Sequence, residues 1–243
     1  MKRILNPKIL PWFTMGAGGL GLVLQLWFRS GIDEKGLLPA SHPALPLCYL
    51  LLALVLAVAF LCARQLPPVG KYSWLFPAGL GRAAGCAVAA AGVLYGGICF
   101  MGSSGGLGLV TFAVSLAAAV CLVFLAALRR KGGRPAVILH TLITVFFMLF
   151  TVCNCRIWGA EPQVQAYIFP LLGCVFLMLT VYHKAVLDVQ KGSRGKLVFW
   201  SQAALFSCCL TMAGSNRLFY LAMVIYLALD LCSVSKTQQP EEA

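Results

Sequence analysis

The chain has 243 residues, 60% of them hydrophobic and only 11% charged, with a mean hydropathy of +0.88. Soluble domains carry about 25% charged residues, so this inventory excludes a water-facing globular surface. The net charge of +12 sits in short segments beside apolar blocks, a pattern of membrane topology rather than of a nucleic-acid surface.

The apolar blocks have the length that crosses a hydrocarbon core, roughly 17 to 25 residues, and they do not alternate as barrel strands do. Taken in chain order, the first span covers about Ile9–Phe28. Its basic start is like a signal peptide's, but Arg29-Ser30-Gly31 is no small-residue cleavage site, so it reads as an uncleaved helix. The next spans are about Leu47–Ala63, Phe76–Phe100, Leu107–Leu128, Ala136–Cys155 and Val164–Val181. The last two, about Leu197–Gly214 and Leu218–Val234, form a tight hairpin over Ser215-Asn216-Arg217 or, alternatively, one re-entrant element. The expected fold is a single all-α polytopic transmembrane helical bundle of about eight spans, with a short disordered tail over 236–243.

Basic residues set the expected orientation. If the N-terminus is cytoplasmic, 15 of the 19 Lys and Arg fall on that side, among them Arg129-Arg130-Lys131 and Arg134 of the central loop. Arg29, Lys35, Arg156 and Arg217 remain outside. This is the bias that orients membrane proteins, and it places both termini in the cytoplasm. Lys184, Lys191, Arg194 and Lys196 are expected to touch anionic headgroups.

Small residues mark packing faces. Gly81, Gly85, Gly92 and Gly96 recur at helical spacing in the third span, and Thr14, Gly18, Gly21 and Gln25 in the first. Such stripes let two helix backbones approach closely. Both spans are therefore expected to be central, with the Leu-rich second and fourth facing lipid. The cysteines, 11 in all, read as small hydrophobes. Only Cys48, Cys99, Cys153 and Cys155, toward the outer side, are placed to form a disulfide.

Polar faces point to function, because polar groups avoid hydrocarbon. His140, Thr144 and Thr151 line one face of the fifth span, with Asn154 beside them; Gln202 marks the seventh; Tyr226 and Asp230 lie one turn apart on the eighth. With Gln25 these make a polar seam between the first, fifth, seventh and eighth helices. The competing reading is that the hydroxyls bond their own helix carbonyls. His140 and Asp230 lie at one depth, about 6 Å inside the cytoplasmic boundary, so they are a candidate pair for proton or cation coupling. Alternatively, Asp230 bonds Tyr226 or a loop cation. A second polar group, Arg29, Arg156, Glu161, Asn216 and Arg217, outlines an outer vestibule.

Sharper chemistries fail on composition or placement. Asp33, Glu34 and His42 have no metal-ligand spacing, so neither metal nor cofactor is expected. Gly102-Ser103-Ser104-Gly105 fits the Gly-x-Ser-Gly of rhomboid-type intramembrane proteases, but the histidines lie about 20 Å away toward the other membrane face. A lysine-bound chromophore is set aside because no span, as drawn, holds a lysine. No catalytic constellation is present, and an intramembrane enzyme is a remote reading.

The leading expectation is a small permease-like or solute-binding protein of a plasma membrane, bacterial given its short loops. Its expected partners are the lipid bilayer and a small solute, with no nucleic acid. The rival is a non-transporting sensor or scaffold that meets a membrane protein partner, or a second copy, through a lipid-facing Gly groove.

Overall fold

A computed structural model describes residues 9–31, 42–66, 78–101, 105–131, 137–158, 167–189 and 192–236. Eight helices account for nearly all of them: α1 Leu10–Ser30, α2 Ala44–Arg64, α3 Leu80–Phe100, α4 Gly105–Lys131, α5 Val137–Trp158, α6 Ile168–Asp188, α7 Arg194–Thr211 and α8 Arg217–Lys236. Among the described residues there is no strand. Local chemistry fixes several starts. Pro11 opens α1, where its missing N–H costs nothing, and the His42 ring nitrogen accepts the Ala44 N–H at the start of α2.

Five helices, α2 to α6, are long and apolar enough to cross a membrane. Outward faces carry large apolar side chains, such as Leu20 and Val23 on α1, Leu50 and Leu54 on α2, Val123 and Phe124 on α4, and Met148 and Val152 on α5. An apolar surface this extensive fits a hydrocarbon environment and not water. The protein is a multi-pass α-helical membrane bundle.

Six helices close a ring: α3 packs on α4, α4 on α5, α5 on α6, α6 on α7, α7 on α8, and α8 returns to α3. The pair α1 and α2 packs outside the ring, against α7. Hence α7, rather than the Gly-striped α1, is the central helix, buried without a break from Ser201 to Thr211. Protein on every side lets α7 tolerate Ser201, Gln202 and Ser207, which a lipid-facing helix would not. The Leu-rich α2 and α4 are among the most exposed helices.

The glycine stripe of α3 faces α8 of the same chain. A Cβ on Gly92 would stand 2.5 Å from that of Ala222, and one on Gly96 3.0 Å from the Phe150 and Phe219 rings. Gly85 lies against Leu229 and the Tyr226 backbone, with Gly81 farther from Leu229. Close approach brings dispersion contacts that lipid cannot supply. Next to it, the ring interior is filled by aromatic side chains: Phe150 stacks on Phe219 at 4.4 Å and meets Phe100 edge-on at 5.1 Å, with Phe146 and Phe147 completing the group.

Two boundaries change the site. α6 runs on past Val181 to Asp188, taking Lys184 into the helix, and α4 runs on through Arg129-Arg130-Lys131. Lys184, Arg82, Arg129 and Arg194 are buried, so these four cations of the expected cytoplasmic set face protein instead of headgroups; Lys196 is exposed, and Lys191 lies outside the described residues.

Candidate functional site: a buried ion network at the basic end of the ring

Ionisable side chains from five of the six ring helices converge at the end where α4 finishes in Arg129–Lys131. Lys184 of α6 is the hub. Its Nζ is ion-paired with Asp230 Oδ2 of α8 and donates to the Tyr226 hydroxyl at 2.7 Å, 4.2 Å above that ring's centroid. Arg82 of α3 approaches the other carboxylate oxygen of Asp230, at 3.9 Å. One turn along α6 from Lys184, Asp188 Oδ2 lies 2.5 Å from His140 Nδ1 of α5. Arg129 of α4 lies close enough for its charge to act on both Asp230 and His140. Lys184 and Asp188 are each 2% exposed and His140 1%, so none of the three is solvated.

The chain has seven Asp and Glu residues; among the described residues they are Asp188 and Asp230, and both are here. Three permanent cations, Arg82, Arg129 and Lys184, meet two carboxylates and one histidine. Removing either partner of a buried pair leaves an uncompensated charge, which is why such clusters hold their members tightly. It is also why they respond to protonation. Neutralising one carboxylate changes the partner that its cation prefers.

The expected His140–Asp230 pair does not form. His140 takes Asp188 and Asp230 takes Lys184, because α6 extends far enough to place a charge opposite each. Tyr226 and Asp230 are nevertheless in the same cluster, linked through Lys184. The lysine also removes the ground for setting aside a lysine-bound chromophore, since Lys184 does lie inside a helix; its amine, however, is engaged by Asp230.

The rest of the expected seam divides. On α5, Thr144 donates to the His140 carbonyl at 2.8 Å, Thr151 to Phe147 at 2.7 Å, and Asn154 to Phe150 at 2.8 Å, all within their own helix. Gln25 faces α2, with its Nε2 3.6 Å from Cys48 Sγ. Gln202 is fully buried on the side of α7 away from α6, and its carboxamide has no hydrogen-bond partner among the described residues. These residues therefore lie in separate places, since α5 packs on α4 and α6 whereas α1 packs on α2 and α7.

At the opposite end, the Arg29 guanidinium lies against Gly214 and within electrostatic range of Tyr167 and Arg217. Arg217 Nε donates to the Gly214 carbonyl at 3.0 Å, and the Asn216 carbonyl accepts from Tyr220 N. Arg156 is exposed, and Glu161 lies outside the described residues. His42 packs edge-on against Trp27 and Phe28; Asp33, Glu34 and Ser103-Ser104 lie outside the described residues. Cys48 and Cys153 are buried beside Gln25 and Thr111, while Cys99 and Cys155 are exposed.

Lys184, Asp188, Arg82 and Arg129 are absent from the expected seam. The signal for the first two was present: Lys184 and Asp188 are four residues apart, the spacing that shares one helix face, in a stretch that continues the sixth span.

No protein-family model, curated protein or solved structure matches the chain.

Proposed function

We propose that the chain is a small permease of a bacterial plasma membrane, in which protons exchanged at the buried ion network drive movement of a small solute. The observation that carries this reading is the convergence of Arg82, Arg129, His140, Lys184, Asp188, Tyr226 and Asp230 inside the helical ring. Ionisable groups held away from water among membrane helices are costly, and by default they mark proton or ion pathways.

The chemistry follows from α6. Lys184 ties it to α8 and Asp188 ties it to α5, from positions one turn apart. Protonating Asp230 weakens its tie to Lys184 and leaves that cation seeking another partner, and protonating Asp188 weakens its tie to His140. A displacement of α6 by one turn would then bring Lys184 to the level of His140 or Asp188 to that of Asp230, a second discrete arrangement of the kind that alternating access requires. The aromatic group of Phe100, Phe146, Phe147, Phe150 and Phe219 closes the ring interior farther along. The scaffold reading loses its expected surface, because the Gly81–Gly96 stripe is covered by α8 instead of facing lipid.

Reconstitution tests the proposal. Proteoliposomes given an inward proton gradient are offered a panel of radiolabelled amino acids, sugars, nucleosides and carboxylates. Accumulation of at least one solute is expected, abolished by a protonophore and lost in Asp188→Asn and Asp230→Asn variants that retain their fold. Accumulation indifferent to the protonophore, or no solute uptake and no proton current above protein-free liposomes, would overturn it.

A further inference from the structure

Thr14 on α1 and Gln202 on α7 are both fully excluded from solvent. Among the described residues neither the Thr14 hydroxyl nor either atom of the Gln202 carboxamide has a hydrogen-bond partner. The contrast with other hydroxyls is sharp. Thr111, Ser115, Thr144, Thr151, Thr180 and Thr211 each donate to a carbonyl of their own helix, three or four residues back. Thr14 has the Leu10 carbonyl at the same spacing and makes no such bond. Ser207 is also without a partner, but it is carried on another face of α7, near Gly173 of α6.

The packing puts the two residues together. α1 and α7 run parallel: Leu10 shares a small core with Leu197 and Val198, and higher up Gly18 lies against Cys209 and Gly21 against Phe206 and Leu210. Thr14 is one helical turn above Leu10, and Gln202 one turn above Val198, so they occupy the same level of the same interface. Phe60 of α2 meets Phe199 at 6.2 Å. That register brings the fully buried Val55 and Ala59 of α2 to about this level. The walls are therefore apolar, and the polar atoms that remain offer three donor hydrogens and two acceptor oxygens between them.

A buried amide with nothing to bond is costly, and native structures rarely leave one so. We infer that the α1–α7 interface at Thr14 and Gln202, outside the ring, is a binding site for a small neutral molecule that both donates and accepts hydrogen bonds. The Gln202 carboxamide would read the molecule through paired donor and acceptor, and the Thr14 hydroxyl would complete its shell. A charged ligand is disfavoured by the apolar walls, which supply no counter-charge. Water and a small amide solute share the required chemistry. This site is independent of the ion network and of any proton movement through it.

Full-length protein with 15N-labelled glutamine side chains, in lipid nanodiscs, tests this by water-edited solid-state NMR and thermal unfolding, with water and acetamide as the probes. Magnetisation transfer from water to the Gln202 side-chain amide is expected, and Thr14→Val should diminish it. If acetamide moves the Gln202 signal and raises the unfolding temperature of wild type but not of Gln202→Leu, the occupant is an amide solute. If water transfer occurs with no acetamide effect, the occupant is water. A Gln202 amide with no transfer from water and no response to acetamide would overturn the inference. So would a higher unfolding temperature in Gln202→Leu, which would show a dry amide being removed.

Discussion

The interior of the helical ring is built in two ways. Around Phe150 and Phe219 it is filled by aromatic side chains that interlock through many weak, short-range contacts. Around Lys184 it is held by a few strong, long-range interactions between ionisable groups on different helices. An aromatic core has one good arrangement and loses contacts in any other. A charge network has as many arrangements as it has ways to pair its members, and protons select among them. The helices can thus be pinned at one level and rearranged at another, as the proposed carrier would require.

Breaking the charged end should have the largest effect. Lys184→Met leaves Asp230 buried with its closest cation removed, and should destabilise the protein by about 3–5 kcal/mol in denaturant titrations of the purified protein in mild detergent. The double variant Lys184→Met/Asp230→Leu should recover most of that loss, because a well-packed apolar pair is about as good as a buried ion pair. Failure of the double variant to recover would mean that Arg82 and Arg129 depend on Asp230 more than Lys184 does.

In the aromatic half no such rescue exists. Phe150→Ala should cost about 3 kcal/mol, near the low end for a buried Phe, since the lost contacts are not accompanied by transfer from water. Gly92→Val forces α3 from Ala222 and should cost about 1–3 kcal/mol, as overpacking does. The smallest effect belongs to Thr144→Val, whose hydroxyl serves only its own helix. A change below about 1 kcal/mol is expected. A larger loss there would place Thr144 in the ion network beside His140 and blur the distinction between the two regions.

The same division governs what could be read from the sequence. Apolar block length and the clustering of basic residues are local properties, and they reveal a helical membrane bundle directly. The glycine spacing of α3 marks a close helix contact, although not its partner, since nothing local says that Gly92 meets Ala222. The small-residue stripes point to α1 and α3 as central and leave α7 unmarked, because what makes α7 central is the protein packed around it, which also lets it carry Gln202. The network was half legible. His140, Tyr226 and Asp230 stand out as ionisable or polar groups in apolar runs, but Lys184, Asp188 and Arg129 lie where the apolar run has ended. A hydropathy boundary places them in loops; the helix boundary places them inside. Pairing across helices is a property of the folded ring alone, so His140–Asp188 has no signature in the chain.

Infrared difference spectroscopy on oriented membranes offers the most direct test that this network exchanges protons. Acidifying wild-type films should produce the carbonyl stretch of a protonated carboxylic acid at the expense of carboxylate bands, and part of that signal should vanish in Asp188→Asn and part in Asp230→Asn. A difference spectrum identical in wild type and both variants would show that neither carboxylate takes up a proton, and would reduce the network to a structural clamp.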